Sequence, residues 1–320
     1  MLYADDEVIF QSGIDWKHLL FLIRKAVCIM HEGDYSQPIK PYLRYSNPKN
    51  RIIAMPAYLG GDVRVAGLKW IASFPDNIAK GLPRAHCIIN LNDSLTGVPL
   101  AIFNSALISI LRTASVSGTI LEEYIKGKTE RLKVGIIGWG PIGQYHYRLV
   151  NEYFYPYIDQ IFIYDIRIIQ DLDNVKSFSN IQTSISNSWE ELYVSSDIVI
   201  TCTVSDSPYI NMEPKKQALL LNVSLRDYLP SIYKYVKNSI IVDDWDEVCR
   251  ENTDVEIMHK EFGLSKEKTT TMYDILFGKK MCTMKTVPIM FNPLGLAIFD
   301  IIVSHHYYQI ISNEKSGIIL

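Results

Sequence analysis

Three glycines at a fixed spacing follow a β-forming run near the middle of the chain. Gly138, Gly140 and Gly143 form the pattern G-x-G-x-x-G. Residues 134–137 before them are β-forming, and residues 144–152 after them have a helical pattern. In a strand-to-helix turn, such glycines allow a tight turn, close approach of the backbone to a pyrophosphate, and close packing of helix on strand. The pattern therefore predicts a turn that binds a dinucleotide, with help from the helix N-terminus.

An acidic residue follows at the place where a ribose would be bound. Asp165 lies near the end of the next β-forming run, residues 160–166. In dinucleotide-binding folds, an acid at this strand end accepts hydrogen bonds from the ribose hydroxyls of NAD. The glycines alone are a weak sign of NAD binding. The full order of strand, glycines, helix, second strand and acid is a more specific one. A glycine-rich turn in an unrelated α/β protein is the alternative.

A second group of residues suited to chemistry is the run of cations between Tyr35 and Asn92. Only two acids, Asp62 and Asp76, lie in this segment, although the whole chain has a net charge of −3. The basic residues are Lys40, Arg44, Lys49, Arg51, Arg64, Lys69, Lys80 and Arg84. A solvated basic face is the ordinary interpretation of each one. Several of them in one site would instead bind a small polycarboxylate, because guanidinium grips carboxylate through two hydrogen bonds.

Two cations stand out because they interrupt apolar patterns. Lys69 lies inside the apolar run 66–71, and Arg112 interrupts the apolar face of the helical pattern 106–125. A cation among core-forming residues usually has a charged partner. We therefore expect Lys69 and Arg112 to belong to an anion-binding site.

Asp227 is a further candidate for chemistry. It follows the β-forming run 219–223, and ligands of open α/β sheets bind beyond the carboxyl ends of the strands. The cap of a helix at the exit of the loop is an equally good interpretation of the same residue.

The elements that must position these residues fall into two groups. Residues 15–33 have the apolar spacing of one helix face. Four β-forming runs separated by turn residues then predict a meander: 51–59, 66–74, 85–91 and 98–103. After the helical pattern 106–125, β-forming runs alternate with helical segments: 134–137, 161–164, 198–203, 218–223 and 240–242. This alternation is typical of a doubly wound parallel sheet.

The predicted fold is an α/β protein in which a doubly wound parallel Rossmann sheet is inserted into a discontinuous α+β domain. Residues 294–311 have a helical pattern again and are predicted to return to the first domain. Residues 1–115 and 294–320 would form a domain for substrate binding and dimerisation. Residues 116–293 would form the NAD-binding domain.

Composition narrows the class of partner and the compartment. The net charge of −3 gives no reason to expect nucleic acid or an anionic membrane. The five cysteines are scattered and never in C-x-x-C, which favours a reducing compartment and no metal site. The acidic first residues are unlike a signal peptide. The longest nearly uncharged stretch, 286–299, is too short and too broken by proline to span a bilayer. We expect a cytoplasmic protein.

Several longer segments carry a resemblance to a known family. The chain resembles the ornithine cyclodeaminase/mu-crystallin family and, within it, the dehydrogenases of 2,3-diaminopropionate biosynthesis. The segments are QPIKPYLRY, RIIAMPAYLGG, AGLKWIAS, INLNDSLTGVPLAI, ALISILRTASVS, GIIGWGPIGQ, VITCTVSDSPYI, VDDW and NPLGLAIFD. The resemblance implies a homodimer with NAD as cofactor, coupled in function to a PLP-dependent enzyme similar to cysteine synthase.

The resemblance also implies roles for individual residues. Lys69 and Asp227 would be catalytic, with Asp227 as the general base. The residues that bind the substrate would be Arg44, Arg51, Lys69 and Arg112. The residues that bind the cofactor would be Arg84, Arg112, Gly138, Gly140, Pro141, Ile142, Gly143, Asp165, Thr201, Thr203, Leu221, Asn222, Val223 and Ser224.

The chain departs from the family pattern at three positions. Ile53 stands where enzymes that take ornithine generally have an acid for the distal ammonium, which argues against ornithine. Pro293 replaces a common serine, and Ser231 replaces a lysine found shortly after the catalytic aspartate. These last two departures concern only details of the cofactor site.

The expected reaction is oxidation of N-(1-amino-1-carboxy-2-ethyl)-L-glutamate by NAD, followed by hydrolysis to 2-oxoglutarate and L-2,3-diaminopropionate, a precursor of siderophores or antibiotics. Ornithine cyclodeamination and reduction of a ketimine or imino acid are the alternatives within the family. A non-catalytic protein that binds NADH or a small molecule, like the mu-crystallins, is the alternative of another class. Such a binder would not need Lys69, Arg112 and Asp227 together.

Overall fold

The computed structural model describes residues 1–47, 49–169, 181–284 and 286–320. These residues form two compact units, of which the first is made of two separate stretches of chain. The first unit comprises Met1–Arg112 and Gly295–Leu320, and the second comprises Thr113–Leu294. The first contains a mixed sheet and the second a parallel sheet. The predicted fold class is confirmed.

The first unit is built on an eight-stranded mixed sheet, counted over the described residues. Its strands are Leu2–Asp5, Tyr35–Ser36, Tyr42–Leu43, Arg51–Leu59, Val65–Ser73, Ala85–Asp93, Pro99–Asn104 and Ile318–Ile319. The four strands from Arg51 to Asn104 form the antiparallel meander that their alternating pattern predicts. Leu2–Asp5 extends this meander by pairing in parallel with Pro99–Asn104.

One long helix covers a face of this sheet. The helices of the unit are Asp6–Gln11, Trp16–Glu32 and Ala297–Glu314, and Leu107–Ile125 begins in it. Ala297–Glu314 packs against the strands Arg51–Leu59 and Val65–Ser73. Successive strand residues point to opposite faces, so every second residue of Val65–Ser73 faces this helix. Lys69 is one of these residues.

The ends of two helices follow from single residues. Trp16–Glu32 begins after Asp15, whose carboxylate accepts from His18 N, and it ends at Gly33, whose φ is +80°. The helix predicted to begin at residue 294 begins instead at Ala297. Gly295 has a φ of +85°, a left-handed conformation that a right-handed helix cannot include.

The second unit contains a sheet whose eight strands, within the described residues, are all parallel. In spatial order they are Gln182–Ile185, Ile158–Tyr164, Leu132–Ile137, Ile198–Thr201, Leu219–Asn222, Ile289–Asn292, Ile240–Val242 and Thr270–Thr271. The order reverses between Leu132–Ile137 and Ile198–Thr201, and ligands of such sheets bind at this switch point.

Helices pack on this sheet. Four neighbouring strands of it are buried throughout: Ile198–Thr201, Leu219–Asn222, Ile289–Asn292 and Ile240–Val242. The helices are Pro141–Glu152, Trp189–Ser195, Tyr233–Val236, Trp245–Val248, Asp254–Phe262 and Met272–Leu276. The strand Ile289–Asn292 was not predicted, and it lies between two strands that were. Its four residues lie between Pro288 and Pro293 and are too few to show a period. Among the described residues, no helix has the length and apolar character needed to cross a membrane.

Candidate functional site

The glycine-rich turn of the second unit has the close contacts that its sequence predicts. Gly138 has a φ of +101°, and a Cβ there would lie 2.8 Å from the backbone of Cys202. A Cβ on Gly143 would collide with the carbonyl oxygen of Gly138. A larger residue at Gly143 would push the helix Pro141–Glu152 away from its strand, and one at Gly138 would push against the backbone at Cys202. The structure thus shows a tight turn at Gly138 and close packing of the helix at Gly143.

The same turn leaves room for a phosphate group. A Cβ on Gly140 would meet no atom within 4 Å, so the space beside this residue is open. Gly140 is the N-cap of the helix Pro141–Glu152, and no side chain caps the helix. Ile142 and Gly143, in its first turn, therefore present backbone N–H groups and a positive dipole end to that space. This arrangement fits the pyrophosphate of NAD.

Asp165 is the first residue beyond the strand Ile158–Tyr164. Its Oδ2 accepts from the backbone N of Trp139 at 2.7 Å, which ties it to the glycine-rich turn. Arg167, which sequence reasoning missed, donates to the carboxylate through Nε at 3.1 Å and through its backbone N at 2.8 Å. Burial would raise the pKa of Asp165, but the bonds from Arg167 and Trp139 outweigh it and lower the pKa. Asp165 is thus held as an anion.

Three of the residues predicted to bind cofactor lie in strands and are buried. Thr201, Leu221 and Asn222 have almost no exposed surface. The Thr201 hydroxyl donates to Asn222 Oδ1 at 3.2 Å. Asn222 Nδ2 donates to Asn292 Oδ1 at 2.8 Å and to Asp254 Oδ2 at 2.9 Å. These polar side chains link neighbouring strands where the sheet ends, next to the loop that begins at Val223.

Asp227 lies in that loop and is 1% exposed. Thr203 Oγ1 donates to its Oδ1 at 2.5 Å, and Ser224 Oγ donates to its Oδ2 at 2.6 Å. The next helical turn starts at Pro230 with Leu229 as its N-cap, so Asp227 is not that cap. Burial raises the pKa of Asp227, and the hydrogen bonds from the two hydroxyls offset part of the increase. A carboxylate of this kind is suited to accept a proton.

The first unit contains a buried cluster of two cations and one carboxylate. Lys69 Nζ lies 2.9 Å from Asp300 Oδ1, and Arg112 Nε lies 3.0 Å from the same oxygen. Lys69 also donates to Ser109 Oγ at 2.7 Å. Lys69 is 1% exposed and Asp300 is fully buried. We call these four residues the Lys69 cluster.

The charges of the Lys69 cluster do not balance. Burial, together with the nearby Arg112 charge, lowers the pKa of Lys69, although Asp300 opposes this. Burial would raise the pKa of Asp300, but Arg112 and Lys69 outweigh it and lower the pKa. Asp300 Oδ2 has no hydrogen-bond partner among the described residues. An anion added to this cluster would compensate its excess positive charge.

The chain approaches the cluster closely at Gly295. A Cβ at Gly295 would collide with the guanidinium of Arg112. The carbonyl oxygen of Gly295 accepts from Lys40 Nζ at 2.7 Å, and Lys40 is buried as well. The sequence shows Lys40 only as part of the basic run, and the structure brings its ammonium to the backbone beside Arg112.

Two other predicted cations of the first unit lie near one aromatic ring. The guanidinium of Arg44 lies 5.2 Å from the centre of the Tyr42 ring, and that of Arg51 lies 5.8 Å from it. Arg84 is partly buried and its carbonyl accepts from Phe74 N at 2.9 Å. The structure thus brings Lys69 and Arg112 together and places Arg44 and Arg51 around one aromatic ring.

Sequence reasoning missed the carboxylate that the Lys69 cluster shares. Asp300 lies in the run AIFDII, where an acid is as anomalous as Lys69 is in its apolar strand. The same argument about buried charge, applied to acids, would have identified it. Among the described residues there is no group of histidine, cysteine and acidic side chains that could hold a metal ion.

The model of the ornithine cyclodeaminase/mu-crystallin family matches residues 11–315. The chain belongs to this family. A relative in Staphylococcus aureus, N-((2S)-2-amino-2-carboxyethyl)-L-glutamate dehydrogenase, is 31% identical over 99% of this chain and 97% of its own. Alanine dehydrogenase of Archaeoglobus fulgidus is 26% identical over the same shares of the two chains.

Solved structures of the family have the same fold. The Δ1-pyrroline-2-carboxylate reductase of Thermococcus litoralis, solved with NADH and L-proline, superimposes with a TM-score of 0.84 at 22% identity, with both chains fully covered. An archaeal alanine dehydrogenase dimer with bound NAD superimposes with a TM-score of 0.80 at 24% identity, over 99% of this chain and 98% of that chain. With identities of 22% and 24%, these two similarities support the fold of this chain.

Proposed function

We propose that this protein is a dehydrogenase that uses NAD and water to convert N-((2S)-2-amino-2-carboxyethyl)-L-glutamate into 2-oxoglutarate and L-2,3-diaminopropionate, with release of NADH and a proton. The full-length relative with 31% identity has this compound in its name. In the reaction, the bond between the glutamyl α-carbon and its hydrogen breaks and an imine forms. Water then adds to the imine carbon, and the bond from this carbon to the nitrogen breaks.

The observation that carries the proposal is the Lys69 cluster. Two buried cations share one oxygen of Asp300, so the cluster has an excess of positive charge. Uncompensated buried charge is costly, and a carboxylate of the substrate would compensate it. Lys69 has three N–H donors. Within the described part of the chain it gives one to Ser109 and one to Asp300, which leaves one for such a carboxylate.

The substrate proposed here is rich in carboxylates, with three of them, and suits a cationic site. Arg44 and Arg51, around the Tyr42 ring, are the residues proposed for its outer carboxylates. Ornithine is a poorer candidate. Ile53 pairs across the sheet with Tyr42 and Ile71, so no acid stands at this position to meet a distal ammonium.

The second unit would provide the cofactor and the base. NAD, bound at the glycine-rich turn and Asp165, supplies the hydride acceptor. Asp227 would take the proton from the substrate ammonium, because the nitrogen needs its lone pair to form the imine. Once that proton has left to solvent, as the proton released in the overall reaction, the ionised Asp227 would activate the water that attacks the imine carbon. Thr203 and Ser224 fix the direction of its carboxylate for both steps.

The enzyme would be a homodimer in the cytoplasm. Trp70 and Ile88 are cross-strand neighbours in the first unit and are 38% and 43% exposed, on the sheet face away from Ala297–Glu314. This apolar face would be covered in a homodimer, and a structural relative is described as a dimer. The enzyme would act in the cytoplasm beside a PLP-dependent enzyme similar to cysteine synthase, in siderophore or antibiotic formation.

The test is turnover of the purified protein with NAD and the glutamate conjugate. NADH formation is followed by absorbance, and 2-oxoglutarate and 2,3-diaminopropionate are identified by mass. Ornithine is supplied in a parallel reaction, with proline as the product to be measured. We expect discrimination against ornithine by more than about a hundredfold, because mispaired buried charge is costly.

Proline formation from ornithine without NADH from the conjugate would replace the proposal with cyclodeaminase activity. NADH binding without turnover of either compound would favour the non-catalytic binder. The variant that tests the role of Lys69 is Lys69→Met, which keeps the length of the side chain and removes the charge. This variant should lose turnover of the conjugate while it still binds NADH.

A further inference from the structure

The loop that holds Asp227 contains a residue in an unfavourable backbone conformation. Leu225 has a φ of +63°, in the left-handed region that residues with a side chain rarely adopt. Such a conformation costs free energy and persists only where the surroundings hold it. Leu225 lies between Ser224, which donates to the Asp227 carboxylate, and Asp227 itself. The groups that hold Leu225 therefore also determine where the carboxylate points.

Asp254 makes three hydrogen bonds to this loop and to the strand before it. Its backbone N donates to the carbonyl of Leu225 at 2.8 Å. Its Oδ2 accepts from Asn222 Nδ2 at 2.9 Å and from Tyr228 N at 3.4 Å. Asn222 Oδ1 accepts in turn from Leu225 N at 3.1 Å. Leu225 is thus bound through both its N–H and its carbonyl, and the residue after Asp227 is bound as well.

The position of Asp254 suits a fixed anchor. It is 2% exposed and is the first residue of the helix Asp254–Phe262. Thr253, the N-cap of this helix, accepts from Glu256 N, so the helix end does not need the Asp254 carboxylate for capping. Asp254 makes no ion pair with another described residue, and a buried acid of this kind is costly to keep. Its bonds to Asn222 and Tyr228 are therefore the reason we consider for its presence.

We infer that Asp254 is a positioning residue for the reaction, which holds the loop of residues 223–228 in its left-handed turn and thereby presents the carboxylate of Asp227. Asp254 acts through Asn222, Leu225 and Tyr228 and does not itself touch the reacting atoms. This inference rests on the proposed function, because it assumes that Asp227 is the base.

Two substitutions of Asp254 distinguish a role in orienting the Asp227 carboxylate from a role in the stability of the core. Asp254→Ala removes the acceptor for Asn222 and Tyr228. Asp254→Asn keeps an acceptor oxygen at the same place. Burial raises the pKa of Asp254 to about 7, so the parent carboxyl is already partly protonated at neutral pH and resembles the amide.

We expect Asp254→Ala to lower kcat by about a hundredfold, as misplacement of a reacting group does, with KM changed less than about threefold. Asp254→Asn should restore kcat to within about threefold of the parent, since the bonds to the loop are kept.

A readout that needs no turnover accompanies the kinetics. Hydrogen exchange of the amides of residues 223–229, measured by mass spectrometry, should be faster in Asp254→Ala and unchanged in Asp254→Asn. The affinity for NADH should change less than kcat, because the glycine-rich turn is untouched, although Val223 and Ser224 lie in the loosened loop. The control is Glu247→Ala, which truncates another acid of the same unit that is 3% exposed. This control should keep kcat and the exchange of residues 223–229, even if its melting temperature falls.

Failure of the positioning role, of the proposed base and of the proposed function would give different results. Parental kcat in Asp254→Ala, or an Asn variant as impaired as the Ala variant, would overturn the positioning role. Unchanged exchange of residues 223–229 in Asp254→Ala would overturn it independently of any activity. Parental turnover by Asp227→Asn would instead overturn the proposed base. No turnover of the conjugate by the parent protein would overturn the proposed function, and the exchange experiment would still test the loop.

Discussion

Lys69 and Asp300 form a buried salt bridge between residues 231 positions apart, with 2.9 Å between Nζ and Oδ1. The lysine belongs to the meander and the aspartate to the C-terminal helix of the same unit. The side chain of Lys69 is 2% exposed and that of Asp300 is fully buried. Because Arg112 shares the same oxygen, the carboxylate orients both cations at once. It holds in place two groups that the proposed substrate needs.

Loss of that carboxylate should destabilise the protein strongly. Asp300→Asn leaves two buried cations without their anion, and breaking a buried pair costs on the order of 3–5 kcal/mol. Urea unfolding measures the change in the free energy of unfolding. The matched control is Asp62→Asn, which breaks another Lys–Asp pair, with Lys25 at 2.7 Å. Asp62 is largely exposed, so this control should change stability far less. Equal effects of the two substitutions would show that burial does not govern the pair.

The Asp300 contribution should also depend on pH. The pKa of Asp300 is lowered in the folded protein, so its contribution is fully present above the ordinary pKa of an aspartate. It is lost as the pH falls through the lowered pKa of the folded state. The difference in unfolding free energy between the parent and Asp300→Asn should therefore shrink in acid. A difference that grows as the pH falls would contradict the sign of this shift.

Cations of the first unit should have separable kinetic effects. Lys69→Met is expected to lower kcat and to raise KM, because Lys69 is proposed next to the reacting centre. Arg44→Ala should mainly raise KM. Losses of about a hundredfold in kcat/KM are expected where a charge-assisted bond to substrate is removed. Arg64→Ala, an exposed member of the same basic run, is the control and should keep parental kinetics. Parental kinetics in all three folded variants would make the basic run a solvated face.

The proposed base should produce an acid limb in the pH profile of kcat/KM. The rate falls as the pH drops through the pKa of Asp227, and burial places this pKa above that of an ordinary aspartate. Ser224→Ala removes a donor that stabilises the ionised carboxylate, so the pKa rises further and the limb moves to higher pH. Ser196→Ala, which removes a buried hydroxyl bonded to a backbone carbonyl, should leave the limb in place. A limb that moves to lower pH in Ser224→Ala would rule out this assignment.

Cofactor choice should depend on Asp165 and Arg167 in opposite ways. Asp165 would accept from both ribose hydroxyls and repel a 2′-phosphate, so the parent should prefer NADH to NADPH. Asp165→Ser should weaken this preference. Arg167→Ala removes the cation that pairs with the carboxylate, so the preference should increase. Dissociation constants for both nucleotides are measured by quenching of tryptophan fluorescence. Equal affinity of the parent for NADH and NADPH would contradict the role of Asp165.

The strands whose bounds could be predicted most closely are those with enough residues to show a period. The strands Arg51–Leu59 and Val65–Ser73 have nine residues each, and their pattern predicts their bounds to within a residue or so. Gln182–Ile185 and Thr270–Thr271 have four and two residues, too few for a period, and are mostly polar. The short strand Ile240–Val242 was predicted because all of its residues are apolar. The place of Ile289–Asn292 within its sheet depends on packing between distant segments, which no local pattern contains.

The site was predictable where a residue type conflicts with its surroundings. Lys69 and Arg112 are anomalous in apolar segments, and the structure gives both a partner. Which acid would pair with them could not be deduced from the spacing, because the partner lies in another part of the chain. Asp254 was beyond sequence reasoning for another reason. An acid in the first turn of a helix is ordinary, and only its bonds to the Asp227 loop distinguish it.

The first unit, made of two stretches of chain, is completed last during synthesis. Its meander leaves the ribosome long before the helix Ala297–Glu314, and the whole second unit is made between them. Until that helix arrives, the ammonium of Lys69 has no carboxylate at its side and must stay hydrated, so this face of the nascent sheet cannot close. Contacts over such sequence distances form slowly and leave apolar surface open meanwhile. A translational pause before Gly295 would therefore leave the sheet of the first unit half-finished, although every residue of the second unit has been synthesised.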